Sequence, residues 1–299
     1  MEAFLACDWG TTNLRAWVVA ENGAVLRDRN FPLGVGRLQA GEAARRFADE
    51  VRPAMEARGL PAILCGMIGS NLGWRAVPYR PCPADLASLA EGLRQADEQA
   101  WIVPGLICDG ITAAPDVMRG EETQVLGWVA ADPARSQGLQ VICHPGTHTK
   151  WVIVQDGRIV RFVTAMTGEL FSVLGRHSIL RHEAAADDDE VFLAGVAAAG
   201  DGGGLAARLF SARARVVGGG ADPAGTPSYL SGLLIGAEAA SLPRLVDLPE
   251  GATVHVLGDA ALCERYRRVL AMAGIFAEVH DGEAAALSGL AALFRSRQP

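Results

Sequence analysis

The sequence predicts an α/β protein of two domains laid out on one plan. A three-strand meander with a glycine-threonine loop occurs twice along the chain, and toward the C-terminus strands alternate with helices. The 299 residues, half of them hydrophobic and a fifth charged, supply apolar material for two cores.

The first meander begins with the apolar run from Ala3 to Asp8, crosses Gly10-Thr11-Thr12-Asn13, and continues from Arg15 to Ala20. Glu21-Asn22-Gly23 is a hairpin turn of the Asn-Gly kind, and Ala24 to Arg27 is the third strand. The second meander runs from Leu139 to Cys143, through Gly146-Thr147-His148-Thr149, along Lys150 to Val154, around Asp156-Gly157 and back from Arg158 to Val163. Cys7, Gly10, Thr11, Trp17 and Gly23 are answered by Cys143, Gly146, Thr147, Trp151 and Gly157, with a two-residue gap between the loops. This reads as an internal duplication, with the domain boundary near Asp132-Pro133. Between the meanders, a helix is expected through Glu122, Val125 and Val129, with Asp116 as its N-cap. Ser228 to Ala240 reads as a helix of small residues suited to close packing, and Asp187-Asp188-Asp189-Glu190 as an acidic helix start. A strand from Thr253 to Leu257 ends at Gly258, followed by a helix with Leu262, Tyr266, Val269 and Leu270 at helical spacing that stops at Gly274. Ile275 to Val279 is a further strand, and Glu283 to Arg295 an alanine-rich last helix.

Composition excludes several function classes. A net charge of −7 with no basic face removes the long-range attraction on which sequence-independent nucleic-acid binding relies. No apolar stretch reaches the ~20 residues of a membrane span, and the N-terminus lacks a basic segment followed by a long apolar run, so a cytoplasmic protein is expected. The six cysteines are scattered singly and read as small buried apolar residues. His144 and His148 are four apart, but Pro145 and Gly146 between them exclude a metal-binding helix. Of the 27 basic residues only Lys150 is lysine. Either drift toward arginine spared it by chance, or it marks a site where a guanidinium would not serve.

The segment Asp8-Trp9-Gly10-Thr11-Thr12-Asn13-Leu14-Arg15 resembles the first phosphate-binding hairpin of the sugar kinase, Hsp70 and actin superfamily, and Gly146-Thr147-His148-Thr149-Lys150 resembles its second. Further segments narrow the resemblance: Gly66-Met67-Ile68-Gly69-Ser70, Gly73-Trp74, Pro78-Tyr79, Pro81-Cys82-Pro83, the run from Pro115 to Gln124 and that from His144 to Trp151. Together they are similar to the 2-dehydro-3-deoxygalactonokinase family from the first strand to the last helix. The resemblance implies two RNase H-like domains, the actin-like ATPase fold, with an interdomain cleft. Residues 1–132 would carry substrate-binding elements and 133–299 nucleotide-binding elements, with the last helix packing back on the first domain. The implied reaction is ATP- and Mg²⁺-dependent phosphorylation of the 6-hydroxyl of 2-dehydro-3-deoxy-D-galactonate.

Phosphoryl transfer asks for positioning and charge neutralisation more than covalent chemistry. Asp8, closing the first strand, is the candidate to hold Mg²⁺ through water; its ordinary reading is an Asp starting a turn. Gly10, Thr11, Thr12, Arg15, Gly146, Thr147 and Thr149 are candidates for phosphate contact, and Gly258 for contact with the nucleotide. Asp116 is the candidate base, because in hexokinase-like kinases an Asp opening the helix before the second hairpin takes the acceptor's proton; a plain N-cap explains it as well. A keto acid needs an Arg and neutral donors, for which Arg119, Arg75, Trp74, Ser70 and Asn71 are candidates. Glu121 and Glu122 either bind sugar hydroxyls or complement the helix dipole. Lys150 is a third catalytic candidate, reaching phosphate or the acceptor's carboxylate, against the alternative of a solvent-facing strand residue. A kinase of a gluconate-derived acid and a non-catalytic nucleotide or sugar-acid sensor of the same fold are the rival readings. A homodimer is compatible with either.

Overall fold

A computed structural model describes residues 3–111, 114–181, 188–200, 204–246 and 248–297. Along the chain the elements are β1 (Phe4–Trp9), β2 (Leu14–Val19), β3 (Val25–Phe31), α1 (Glu42–Arg46), α2 (Arg52–Ala54), β4 (Ala62–Cys65), β5 (Arg80–Pro81), α3 (Leu86–Gly92), β6 (Arg94–Asp97), β7 (Ala100–Ile102), β8 (Leu106–Asp109) and β9 (Pro115–Met118). There follow α4 (Glu121–Ala130), β10 (Leu139–His144), β11 (Thr149–Gln155), β12 (Arg158–Ala165), α5 (Thr167–His177), α6 (Asp189–Gly200), α7 (Leu205–Val217), α8 (Thr226–Leu245), β13 (Thr253–Gly258), α9 (Ala260–Met272), β14 (Phe276–Asp281) and α10 (Gly282–Ser296). The expected strands and helices thus form to within a few residues. Of the acidic run at 187–190, Asp187 lies outside the described residues, and Asp189 and Glu190 open α6.

The strands form two principal sheets, ordered β3-β2-β1-β4-β7-β6 and β12-β11-β10-β13-β14. Each has its meander in the order third, second, first, after which a later strand joins the first in parallel: β4 beside β1, and β13 beside β10. The sequence duplication is therefore a duplication of sheet topology. A small third sheet, β5-β8-β9, carries the segment after β4.

The chain forms two compact units. The first comprises 1–140, 152–162 and 281–299, and the second 141–151 and 163–280. In the first, Leu5, Cys7, Trp9, Leu14, Phe47 and Leu64 are buried in one core. There α10 packs along α4 with the approach set by glycine: a Cβ on Gly127 would lie 2.1 Å from the Ala285 carbonyl oxygen, and one on Gly289 would lie 2.2 Å from that of Thr123. In the second, Leu180, Tyr229, Leu230 and Leu233 form the core between helices. The small residues of α8 let it press on α6, where a Cβ on Gly232 would meet the Phe192 oxygen at 2.0 Å.

Candidate active site

In the first unit, β1 and β2 pair with Asp8 opposite Arg15, and β4 brings Cys65 beside Asp8. The intervening loop closes by a Gly10 N–H to Asn13 O bond of 2.9 Å. Val35 and Gly36 donate to the carbonyls of Gly10 and Thr11, so the loop is held from behind while Thr11, Thr12 and Asn13 stay exposed. Backbone and hydroxyl donors fixed in this way suit a polyanion.

Asp8 is half-buried. Burial pushes its carboxyl up to about 6, against the opposing pull of Arg15, and Glu121 and Glu283 push the same way. A Cβ on Gly66 would lie 2.8 Å from Trp9 O and 3.3 Å from the Asp8 carboxylate, and one on Gly120 would lie 3.2 Å from Gly66 Cα. Gly66 and Gly120, at φ +89° and +116°, adopt backbone that favours glycine.

The expected N-cap is corrected. Asp116 lies in β9, paired opposite Cys108 on β8, and its carboxylate accepts from the Val117 N–H at 2.7 Å. The helix begins four residues beyond the expected place, at Glu121, with Gly120 as its cap. Propensity favoured Asp as cap, but pairing of Pro115–Met118 with β8 holds that segment extended. The capping is done in reverse: the Glu121 and Glu122 carboxylates accept from the N–H groups of Arg119 (3.1 Å) and Gly120 (2.7 Å). Glu121 is half-buried; Glu122 is fully buried, and burial, then the Glu121 charge, push its carboxyl up to about 8.

Arg119 donates to Val77 O at 2.7 Å and lies over the Tyr79 ring at 4.3 Å. Its Nη1 and Nε are buried without hydrogen-bond partners among the described residues, and Nη1 would be 2.8 Å from a Cβ on Gly69. Ser70 and Asn71 follow the turn at 67–69; the Ser70 hydroxyl accepts from the Leu72 N–H. Trp74 packs against Phe47, with ring centroids 5.4 Å apart. Arg75 is exposed and donates to Gln95 O. Of the two arginines, only Arg119 combines burial with donors left over.

In the second unit, Gly146 and Thr147 head the second hairpin. The start of α5 presses on them: a Cβ on Gly168 would lie 2.3 Å from Gly146 O, and the Glu169 N–H donates to Thr147 O at 2.8 Å. His148 pairs with the Glu169 carboxylate in an exposed contact. Thr149 is fully buried, with its hydroxyl 2.9 Å from Tyr266 Oη. Lys150 is 5 % exposed and donates to Thr164 Oγ1 at 2.9 Å. Gly258 ends β13 beside Pro145 of the hairpin.

Sequence reasoning missed the polar cluster behind this hairpin. Glu238 of α8 accepts from Trp151 Nε1 (2.7 Å), Tyr266 Oη (3.0 Å) and the Thr167 hydroxyl, and burial raises its carboxyl. Its signal was available: it is the one charged residue between Thr226 and Ser241. Beside the cluster is a cavity of about 300 Å³ lined by Gly146, Thr147, Phe171, Leu234, Ile235 and Arg265, among others. An apolar wall next to glycine-threonine backbone suits a flat ring joined to phosphates.

The two sheets on one plan, each headed by a glycine-threonine hairpin, are the actin-like ATPase fold. Residues 8–293 match the sequence model of the 2-keto-3-deoxy-galactonokinase family, and the chain belongs to that family. It is similar to a probable 2-dehydro-3-deoxygalactonokinase of Rhizobium meliloti (38 % identical, covering 99 % of this chain and 98 % of the relative). It is also similar to the 2-dehydro-3-deoxygalactonokinase of Escherichia coli (35 %, covering 96 % of each). The crystal structure of a putative 2-dehydro-3-deoxygalactonokinase from Sinorhizobium meliloti superposes with a TM-score of 0.86 at 34 % identity, covering 99 % of both chains. The chain is thus a sugar-acid kinase, a phosphotransferase acting on an alcohol group. Among the described residues no helix is long and apolar enough to cross a membrane.

Proposed function

We propose that this kinase transfers the γ-phosphoryl group of ATP to the 6-hydroxyl of 2-dehydro-3-deoxy-D-galactonate, in the cytoplasm. The reading is carried by the recurrence of a glycine-threonine hairpin at the head of both sheets in a chain of this family.

The adenosine belongs in the 300 Å³ cavity of the second unit, against Phe171, Leu234 and Ile235, with its phosphates toward Gly146 and Thr147. Thr11, Thr12 and Arg15 supply donors and charge from the first hairpin. Asp8 suits Mg²⁺ because its surroundings carry more negative than positive charge: Glu121 and Glu283 both act on it against Arg15 alone. When bound there, the ion would neutralise charge on the transferring phosphates.

The sugar acid's carboxylate fits the unused donors of Arg119, with Ser70 and Asn71 beside it. The proton acceptor is Glu121. The expectation for Asp116 rested on opening the helix, and Glu121 holds that place, half-exposed and electrostatically coupled to Asp8. Its carboxylate would take the 6-hydroxyl proton late in the transfer.

A coupled assay over 2-keto-3-deoxy sugar acids tests this. The galactonate-derived acid should be turned over at least tenfold better in kcat/KM than the gluconate-derived one; the reverse preference removes the substrate assignment. In the same assay Glu121→Gln should lose about 100-fold or more in kcat while still binding ATP, and Asp116→Asn should stay within a few-fold of wild type. The opposite pattern returns the base to Asp116.

A further inference from the structure

We propose that the second unit carries a transition-metal site, made by His255 of β13 with Glu278 and His280 of the adjacent β14. Nothing in the kinase chemistry uses these three side chains. Their ligand atoms converge: His255 Nδ1 is 3.0 Å from His280 Nε2, and Glu278 Oε2 is 3.7 Å from the first and 3.9 Å from the second. A triangle with these sides has its centre about 2.1 Å from every corner, the length of a zinc bond to imidazole nitrogen or carboxylate oxygen. Among the described residues it is the one group of three such side chains whose ligand atoms come so near one another.

The chemistry of the donors selects the ion. Two imidazoles and one carboxylate suit Zn²⁺ and its neighbours Co²⁺ and Ni²⁺, whereas Mg²⁺ takes oxygen ligands and stays largely hydrated. The site is therefore distinct in kind from the Mg²⁺ position proposed at Asp8. The two histidine side chains are 15 % and 19 % exposed and stand on neighbouring strands, so their directions are fixed by the sheet; the Glu278 side chain is 65 % exposed and closes the third side from solvent. Three protein ligands leave a fourth position for water. Two imidazole nitrogens at 3.0 Å repel unless a proton or a cation lies between them, and a bound ion replaces that proton, clipping β14 to β13.

The test uses the whole chain, free of any affinity tag and stripped with EDTA. Titration with Co²⁺ should give the visible absorption of a four-coordinate nitrogen and oxygen site, saturating at one ion per chain and displaced by Zn²⁺ but not by Mg²⁺. His255→Ala and His280→Ala should abolish the absorption, and Glu278→Gln should weaken Co²⁺ binding about tenfold. Because Glu278 is exposed, its variant reports on the site even if a histidine variant misfolds; circular dichroism identifies that case. Absence of saturable Co²⁺ binding to the wild-type chain, or binding that Glu278→Gln and both histidine variants leave unchanged, overturns the proposal.

Discussion

Lys150 illustrates what a single residue can and cannot announce. It is the only lysine among 27 basic residues, and it is buried on Thr164 rather than facing solvent. A guanidinium is larger and planar, so space at Thr164 is itself a reason for lysine there, independent of catalysis. Glu122 shows a different side of burial. Its carboxyl is raised to about 8 from an ordinary value of 4.5, so between those pH values the folded chain holds a proton that the unfolded chain has lost. Stability contributed by the neutral group is complete below about pH 4.5 and declines as pH rises toward 8, because the unfolded state binds fewer protons. Glu122→Gln keeps an acceptor for the Gly120 N–H and removes the titration. We expect the variant to gain on wild type by on the order of 1–3 kcal/mol between pH 5 and pH 8, read from urea unfolding at both. Parallel stability curves would show that Glu122 ionises freely in the fold.

Among the elements, α4 and α10 show how sequence and packing meet. The helix from Glu121 puts Gly127 toward Ala285 and Gly289, where any side chain would overlap backbone. Gly289→Val should therefore destabilise the chain by about 3 kcal/mol or more, well beyond the helix-propensity difference, which runs the other way. Thermal unfolding checks this, and a variant within 1 kcal/mol of wild type would mean that the helices can separate without loss. The strands were legible because hairpin turns such as Asn22-Gly23 and Asp156-Gly157 declare themselves locally, and so was α10 from its alanine-rich run. The start of α4 was not. Asp116 is a better cap than Gly120 by local preference, and only pairing with β8, a partner set by tertiary structure, moves the boundary. The cavity beside Gly146 escaped for the same reason, since Phe171, Leu234 and Arg265 come from three helices far apart in the sequence. So did the triad of His255, Glu278 and His280, which no ligand spacing within one element announces.

For the whole molecule, duplication of the sheet did not duplicate the chemistry around it. After β1 and β4 the first unit places carboxylates, with Asp8 near Glu121 and Cys65 beside it, whereas after β10 and β13 the second places Pro145 beside Gly258. The helices differ as well. In the second unit α5, α8 and α9 surround an apolar cavity next to its hairpin, and in the first α4 brings a buried glutamate and follows an arginine with unused donors. One plan thus carries two complementary environments, one fit for a neutral aromatic ring and one for an anion held by an arginine. Each ligand should then leave its own imprint. A non-hydrolysable ATP analogue alone should slow amide hydrogen exchange by several-fold at 146–149 and in the facing turns of α5 and α9, whereas the sugar acid alone should slow it at 67–79 and 119–122. Protection by the analogue confined to the first unit, or by the sugar acid confined to the second, would reverse the assignment of ligands to units.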